Sequence, residues 1–284
     1  MTATSQAAKP LRPILTAHLF PKIEARLLEL LRGLSPEDWE RQTVSPKWKV
    51  RDVTAHLLDT QLRKLAIVRD GCLPEPAVIR SPSDLVALVN GLNEEGVRCY
   101  RRLSPSLLIS MMEAASRESA EFHQSLDPHA PARFAVSWAG EETSFNWFDT
   151  AREFTERWHH QQQIRLAVDR PGIMTPELYH PVLECFMRGL PHAYRDVVRP
   201  PDAVLRLDIA GECGGTWFLH REANAWRLED GAPGPPTSGV TIPQEIAWRV
   251  FTKGIDREAA AGQVRVDGDR DLGIHVLGMT AIVG

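Results

Sequence analysis

The sequence predicts a multidomain chain of α and α+β character: an all-helical bundle over the first two thirds, then a small α+β domain. Three observations carry that prediction. Apolar residues recur at helical spacing as far as about residue 196. After "VVRPPDAV" the pattern turns to short alternating runs such as "AVLRLDIAG", where Leu205, Leu207 and Ile209 alternate with Arg206 and Asp208. Proline-glycine punctuation such as "GAPGPPTSG" separates those runs. The boundary is expected near 196–202, giving domains 1–198 and 199–284.

The elements follow in order. "PKIEARLLELLRG" places Ile23, Leu27, Leu30 and Leu31 on one stripe, with Gly33 suited to the stop. "SPEDW" offers Ser35 as an N-cap for a connecting turn. A second helix is expected from about Val50 to Val68, with Val53, Leu57, Leu58 and Leu62 facing inward. "SPSDLVALVNGLNEEGVRCYRRL" and "SPSLLISMMEAASRESAEFHQSL" each open with Ser-Pro-Ser and form two helices, or one long helix broken near Pro105. Another helix covers about Trp147 to Val168. A last helical segment, "TPELYHPVLECFMRGLPHAYRDV", is kinked or divided at Pro181 and Pro191. In the tail, "GTWFLHREANAWRLEDG" predicts a hairpin turning near Ala223–Asn224. "VTIPQEIAWRVFTKG" predicts a strand running into a helix stopped at Gly254. "QVRVDGD" is a further strand and "RDLGIHVLGMTAIV" a closing helix.

Composition excludes several classes of function. A chain of 284 residues with a formal charge of -4 has no basic excess to hold a phosphate backbone, which argues against nucleic acid. Cys72, Cys99, Cys185 and Cys213 lie far apart with no CxxC pair, against a structural zinc knot or a disulfide scaffold. No run approaches the roughly 20 apolar residues of a membrane span, and the N-terminus does not read as a signal peptide. A cytoplasmic protein without a membrane partner is the expectation.

The chemistry concentrates in "EFTERWHHQQQIRLA". Glu156 and His160 are four apart, so both face one side of a helix and can reach one ion. Zinc accepts imidazole nitrogen and carboxylate oxygen, and a catalytic site often keeps three protein ligands and an open position. His56, among the inward-facing residues of "VTAHLL", is the best third ligand from a facing helix. His159 competes with His160, because Glu156 and His159 form an ExxH; no second ExxH exists for a di-iron site, and no HExxH for a zincin. The continuation of the His160 face through Gln163 and Ala167 favours His160. Asp52 is either an outer hydrogen-bond acceptor for His56 or a first-turn carboxylate. Gln163 lines the pocket or bonds between helices. Arg249 and Arg98 are conceivable anchors for a carboxylate, or ordinary surface arginines. Trp158 reads as core.

These residues carry a resemblance. "WKVRDVTAHLLD", from Trp48 through Asp52 and His56, followed by "ERWHHQQQIRLA" from Glu156, resembles the DinB-like metal-binding superfamily, and within it the mycothiol-dependent maleylpyruvate isomerase group. The tail is similar to the sterol-carrier-like domain that often follows such a bundle. The resemblance implies an up-down four-helix bundle and a divalent metal, most simply Zn2+, on His56, Glu156 and His160. It also implies a low-molecular-weight thiol cosubstrate of the mycothiol type. The thiol adds to an electrophilic small molecule, giving isomerisation if it leaves again and S-transfer if it stays. A homodimer is in keeping with it. The alternatives are a metal-dependent hydrolase, with Asp52 as its general base, and a non-catalytic, stress-associated metal- or ligand-binding protein.

Overall fold

A computed structural model describes residues 11–72 and 78–282. The chain divides into two compact units. The helical unit comprises Leu15–Ala135 and Thr143–Val182, and the sheet unit is built from Val136–Glu142 and Leu183–Ala281. Among the described residues no helix is long and apolar enough to cross a membrane.

In the helical unit, α1 (Phe20–Arg32) starts with a proline in its first turn, where a missing N–H costs nothing. It buries Ile23, Leu27, Leu30 and Leu31 as the sequence stripe requires. In the turn that follows, the Ser35 hydroxyl accepts from the Asp38 N–H at 3.2 Å, and Asp38 accepts from the Ser35 N–H at 3.1 Å. Helix α2 (Val50–Lys64) runs on into a π-helical turn at Leu65–Arg69. The two Ser-Pro-Ser signals open two separate helices, α3 (Pro82–Tyr100) and α4 (Pro105–Ser125). The Ser81 and Ser104 hydroxyls accept from the N–H groups of Asp84 and Leu107 at 3.2 and 3.3 Å. Each cap satisfies one of the donors that a helix start leaves unpaired. Helix α5 (Asn146–Val168) stops at Asp169, which takes a left-handed conformation with φ of 54°. Helix α6 (Pro176–Met187) accommodates Pro181 in its interior instead of breaking there.

Helices α1, α2, α4 and α5 pack around Leu27, Leu31, Val53, Leu57, Met112 and Ile164, while α3 lies along α2. Helix α5 is buried on nearly every face, polar residues included. Its polar side chains must therefore find partners inside the bundle.

In the sheet unit, α7 (Leu190–Ala193) carries Pro191 in its first turn. The sheet has the order β3-β2-β1-β4-β5. Strands β1 (Val204–Ala210), β2 (Gly215–Arg221) and β3 (Trp226–Glu229) form an antiparallel meander that includes the expected hairpin. β4 (Ser238–Pro243) pairs parallel to β1, and β5 (Arg265–Gly268) antiparallel to β4. Leu205, Leu207, Ile209, Val240 and Ile242 line the covered face. Trp226 and Trp248 are core, and Trp226 donates to the Val197 carbonyl at 2.9 Å.

Three tail features differ from the sequence reading. Helix α8 (Gln244–Phe251) ends through Lys253, which takes the left-handed conformation with φ of 58°, so Gly254 is not the residue that turns the chain. A short helix α9 (Arg257–Ala261), capped by Asp256, occupies a stretch to which the sequence assigned no element; its five residues are too few for periodicity to show. The closing helix is only α10 (Arg270–Ile274) followed by a 3-10 turn at His275–Gly278, consistent with glycines at 273 and 278.

Candidate metal centre

Helices α2 and α5 cross antiparallel and meet in three polar layers. Lys64 reaches Asp149 at 2.6 Å and Glu153 at 3.5 Å. Next, Arg157 donates to the Thr60 hydroxyl at 3.3 Å. In the third layer His56 lies edge-on to His160, with ring centroids 4.5 Å apart.

That third layer is the cluster the sequence pointed to. His56, Glu156 and His160 each offer a ligand atom, and these atoms all lie within 4.8 Å of one another. The His160 Nε2 and Glu156 Oε2 atoms are 3.3 Å apart. Two donors on a tetrahedral ion at about 2.0–2.1 Å stand about 3.3 Å from each other, so the pair has the spacing coordination needs. His56 is 4% and His160 7% exposed, while Glu156 is half-buried and keeps the cluster open on one side. Among the described residues no lysine or arginine hydrogen-bonds or ion-pairs with any of the three, and the buried His56 Nδ1 has no hydrogen-bond partner. Two imidazoles and one carboxylate, with no protein cation bound to them, suit a divalent ion.

Surrounding residues hold these groups in place. The Gln163 amide oxygen accepts from His160 Nδ1 at 2.9 Å, and its NH2 donates to His159 Nε2 at 3.0 Å. A proton on His160 Nδ1 leaves the Nε2 lone pair facing Glu156, as a ligand requires. Among the described residues the hydrogen bonds of Gln163 go to no other helix; it clamps two histidines of its own. His159 stands outside the cluster as the far end of that clamp. Trp48 packs on His56 with centroids 4.7 Å apart and reaches His160 at 6.0 Å. Burial pushes the His56 imidazole well below its ordinary pKa, aided by His160, Arg63 and Arg157, and burial followed by His160 does the same to His159. Both rings stay neutral near pH 7, the state in which an imidazole can coordinate.

The remaining candidates fall elsewhere. Asp52 caps α2, accepting from the Lys49 N–H at 3.0 Å, and pairs with Arg101 at 3.2 Å. Among the described residues none of its hydrogen bonds goes to His56, so its role is that of a first-turn carboxylate. Arg98 is exposed on α3. Arg249 belongs to the sheet unit, where its Nε donates to the Gly254 carbonyl at 3.1 Å. Trp158 is core: it donates to the Ile173 carbonyl at 2.9 Å and stacks on Tyr179.

Sequence reasoning missed the charged layers next to the cluster. Arg157, 1% exposed, pairs with Glu24 of α1 at 3.2 Å and with Glu153 at 3.7 Å. Glu24 also accepts from the Ser116 hydroxyl of α4 at 2.9 Å. Arg152 binds Asp149 at 2.6 Å and Glu153 at 2.7 Å. Burial opposes the charge on Glu153, but Arg152, Lys64 and Arg157 outweigh it and hold that carboxyl well below the usual range. The i,i+4 spacing of Asp149, Glu153 and Arg157 was the available signal, and it looks the same on a solvated face.

Comparison with known proteins agrees with this arrangement. Residues 20–165, about half of the chain, match the family described as the mycothiol maleylpyruvate isomerase N-terminal domain. No match was found among curated proteins. Among solved structures, a histidine-to-alanine mutant of the mycothiol-dependent maleylpyruvate isomerase is similar in fold. The TM-score is 0.53 at 10% identity, over 88% of this chain and 91% of that one. A second structure of the mycothiol-dependent maleylpyruvate isomerase matches more loosely, with a TM-score of 0.46 at 12% identity. With the match spanning α1 to α5, both helices that carry His56, Glu156 and His160 included, the chain belongs to the mycothiol maleylpyruvate isomerase N-terminal domain family.

Proposed function

We propose that this protein is a divalent-metal enzyme that uses a low-molecular-weight thiol of the mycothiol type on an electrophilic small molecule. The convergence of His56, Glu156 and His160 within 4.8 Å is the observation that carries it. A divalent ion on these ligands, zinc by donor type, supplies a Lewis-acidic position at which a thiol is deprotonated near neutral pH. The chain's own residues do the preparatory work. Burial keeps His56 neutral, Gln163 fixes the His160 tautomer, and Trp48 covers the imidazoles against water. In the isomerisation, a C–S bond forms at an unsaturated carbon as the C=C electron pair moves onto the conjugated carbonyl. Rotation about the resulting single bond and expulsion of the thiolate then restore the double bond in the other geometry. In S-transfer, the enolate formed by the addition takes a proton from water at its α-carbon as the C=O bond is restored, and the C–S bond stays.

The test is metal content by inductively coupled plasma mass spectrometry on untagged protein, beside His56→Ala and His160→Ala. The expected result is near one zinc per chain, lost in both variants, with His159→Ala retaining it. Absence of metal from the wild type even after zinc reconstitution would refute the reading.

A further inference from the structure

On α2, His56, Asp59 and Arg63 stand at i, i+3 and i+7 and share one stripe; on α5, Arg152 and Glu156 share another. The antiparallel seam sets these stripes on either side of the cluster. Their side chains are only half-buried: Asp59 17%, Arg63 22%, Arg152 21% and Glu156 25% exposed. Each helix thus contributes one partly exposed arginine on the same stripe as a cluster residue.

The two arginines are not equivalent. Arg152 is saturated by Asp149 and Glu153 at 2.6 and 2.7 Å. Arg63 makes one good hydrogen bond, to the Asn93 side-chain oxygen of α3 at 2.8 Å, and a loose contact of 3.5 Å with Asp59. Among the described residues its Nε and Nη1 have no partner. Asp59 is similarly under-satisfied, its buried Oδ2 making no hydrogen bond. Its position exists because α3 carries glycine there: a Cβ on Gly96 would stand 2.2 Å from the Asp59 Cγ. A salt bridge selected for stability would be bidentate and short. This pair instead leaves two donors of a planar fork without a protein partner on a partly exposed side chain whose charge reaches His56, and such a fork is what arginine uses to recognise a carboxylate.

We propose that Arg63 binds a carboxylate of the electrophilic substrate, with Asp59 as its counter-ion when the site is free. The seven residues from His56 to Arg63 correspond to about 10 Å along the helix. An acid anchored at Arg63 that presents its reacting carbon near His56 therefore has at most about 10 Å to span. This inference rests on the thiol-enzyme reading for the word substrate, but its binding chemistry does not need the metal.

The experiment is isothermal titration calorimetry of the full chain, zinc-loaded and metal-free, with succinate as an unreactive probe and its dimethyl ester as neutral control. Arg63→Gln is expected to weaken succinate at least tenfold in both forms while zinc content stays unchanged. Asp59→Asn, which removes the competing carboxylate, is expected to tighten it. The ester should be indifferent to both substitutions. Succinate binding that is absent in the wild type, unchanged in Arg63→Gln, or weakened alike by both substitutions would overturn the assignment. A wild type that takes no zinc yet binds succinate through Arg63 would refute the thiol-enzyme reading and leave this one standing.

Discussion

The seam between α2 and α5 holds two polar clusters of opposite design within a few helical turns. One contains three carboxylates, Glu24, Asp149 and Glu153, and three cations, Lys64, Arg152 and Arg157, each paired with the other sign. The other contains two imidazoles and Glu156, with no protein cation bound to them. The first is electrically closed and needs nothing from outside. The second offers lone pairs and negative charge without a counter-ion. Self-neutralisation therefore separates a cluster that builds the bundle from one that binds something. The closed cluster also joins α1, α2 and α5 at one level, and so fixes the register that brings His56 opposite Glu156 and His160.

The largest effect should come from breaking the closed cluster. Arg157→Met leaves Glu24 buried without its cation and takes one of three from Glu153, at a cost of about 3–5 kcal/mol in urea unfolding. Combining it with Glu24→Gln should recover much of that loss. If the single variant is as stable as the wild type, the cluster is not closed in the sense argued here.

A smaller effect is expected at the open cluster. Gln163→Leu frees the His160 tautomer and should weaken zinc about 10- to 100-fold by competition with a chromophoric chelator. Its unfolding free energy without metal should move far less than that of Arg157→Met. An unchanged zinc affinity would remove Gln163 from the site.

Next comes the pH response of a histidine buried beside the closed cluster. His123 is buried against Phe20, with centroids 4.4 Å apart, and burial pushes its pKa down to about 3. Between its ordinary value near 6.5 and about 3, the unfolded chain takes a proton that the folded chain refuses. Stability therefore falls as pH drops through that window, by ~1.4 kcal/mol per pH unit from this group. His123→Phe should lower the slope of stability against pH between 6 and 4.5 by that amount. A slope equal to the wild type's would place the pH response in other groups. The smallest effect lies away from both clusters: Ser104→Ala removes one cap of α4 and should cost about 1 kcal/mol, measured in the same unfolding series.

The sequence by itself determined the division into helices and strands, the two Ser-Pro-Ser helix starts, and the candidate cluster of His56, Glu156 and a histidine one turn after Glu156. Each of these depends on spacing along one element, which the chain carries locally: period 3.6 or 2, a cap beside a proline, two ligands four apart. Only the tertiary structure decided that His160 and not His159 joins the cluster, because adjacent positions on a helix differ by about 100° and a facing helix must choose between them. It also decided that Gln163 clamps two histidines and that Asp52 is a cap. Above all it decided that Asp149, Glu153 and Arg157 are interior. In sequence these charges have the i,i+4 pattern of a solvated face, and what buries them is Lys64, Thr60 and Glu24, contributed by α2 and α1 from about a hundred residues away.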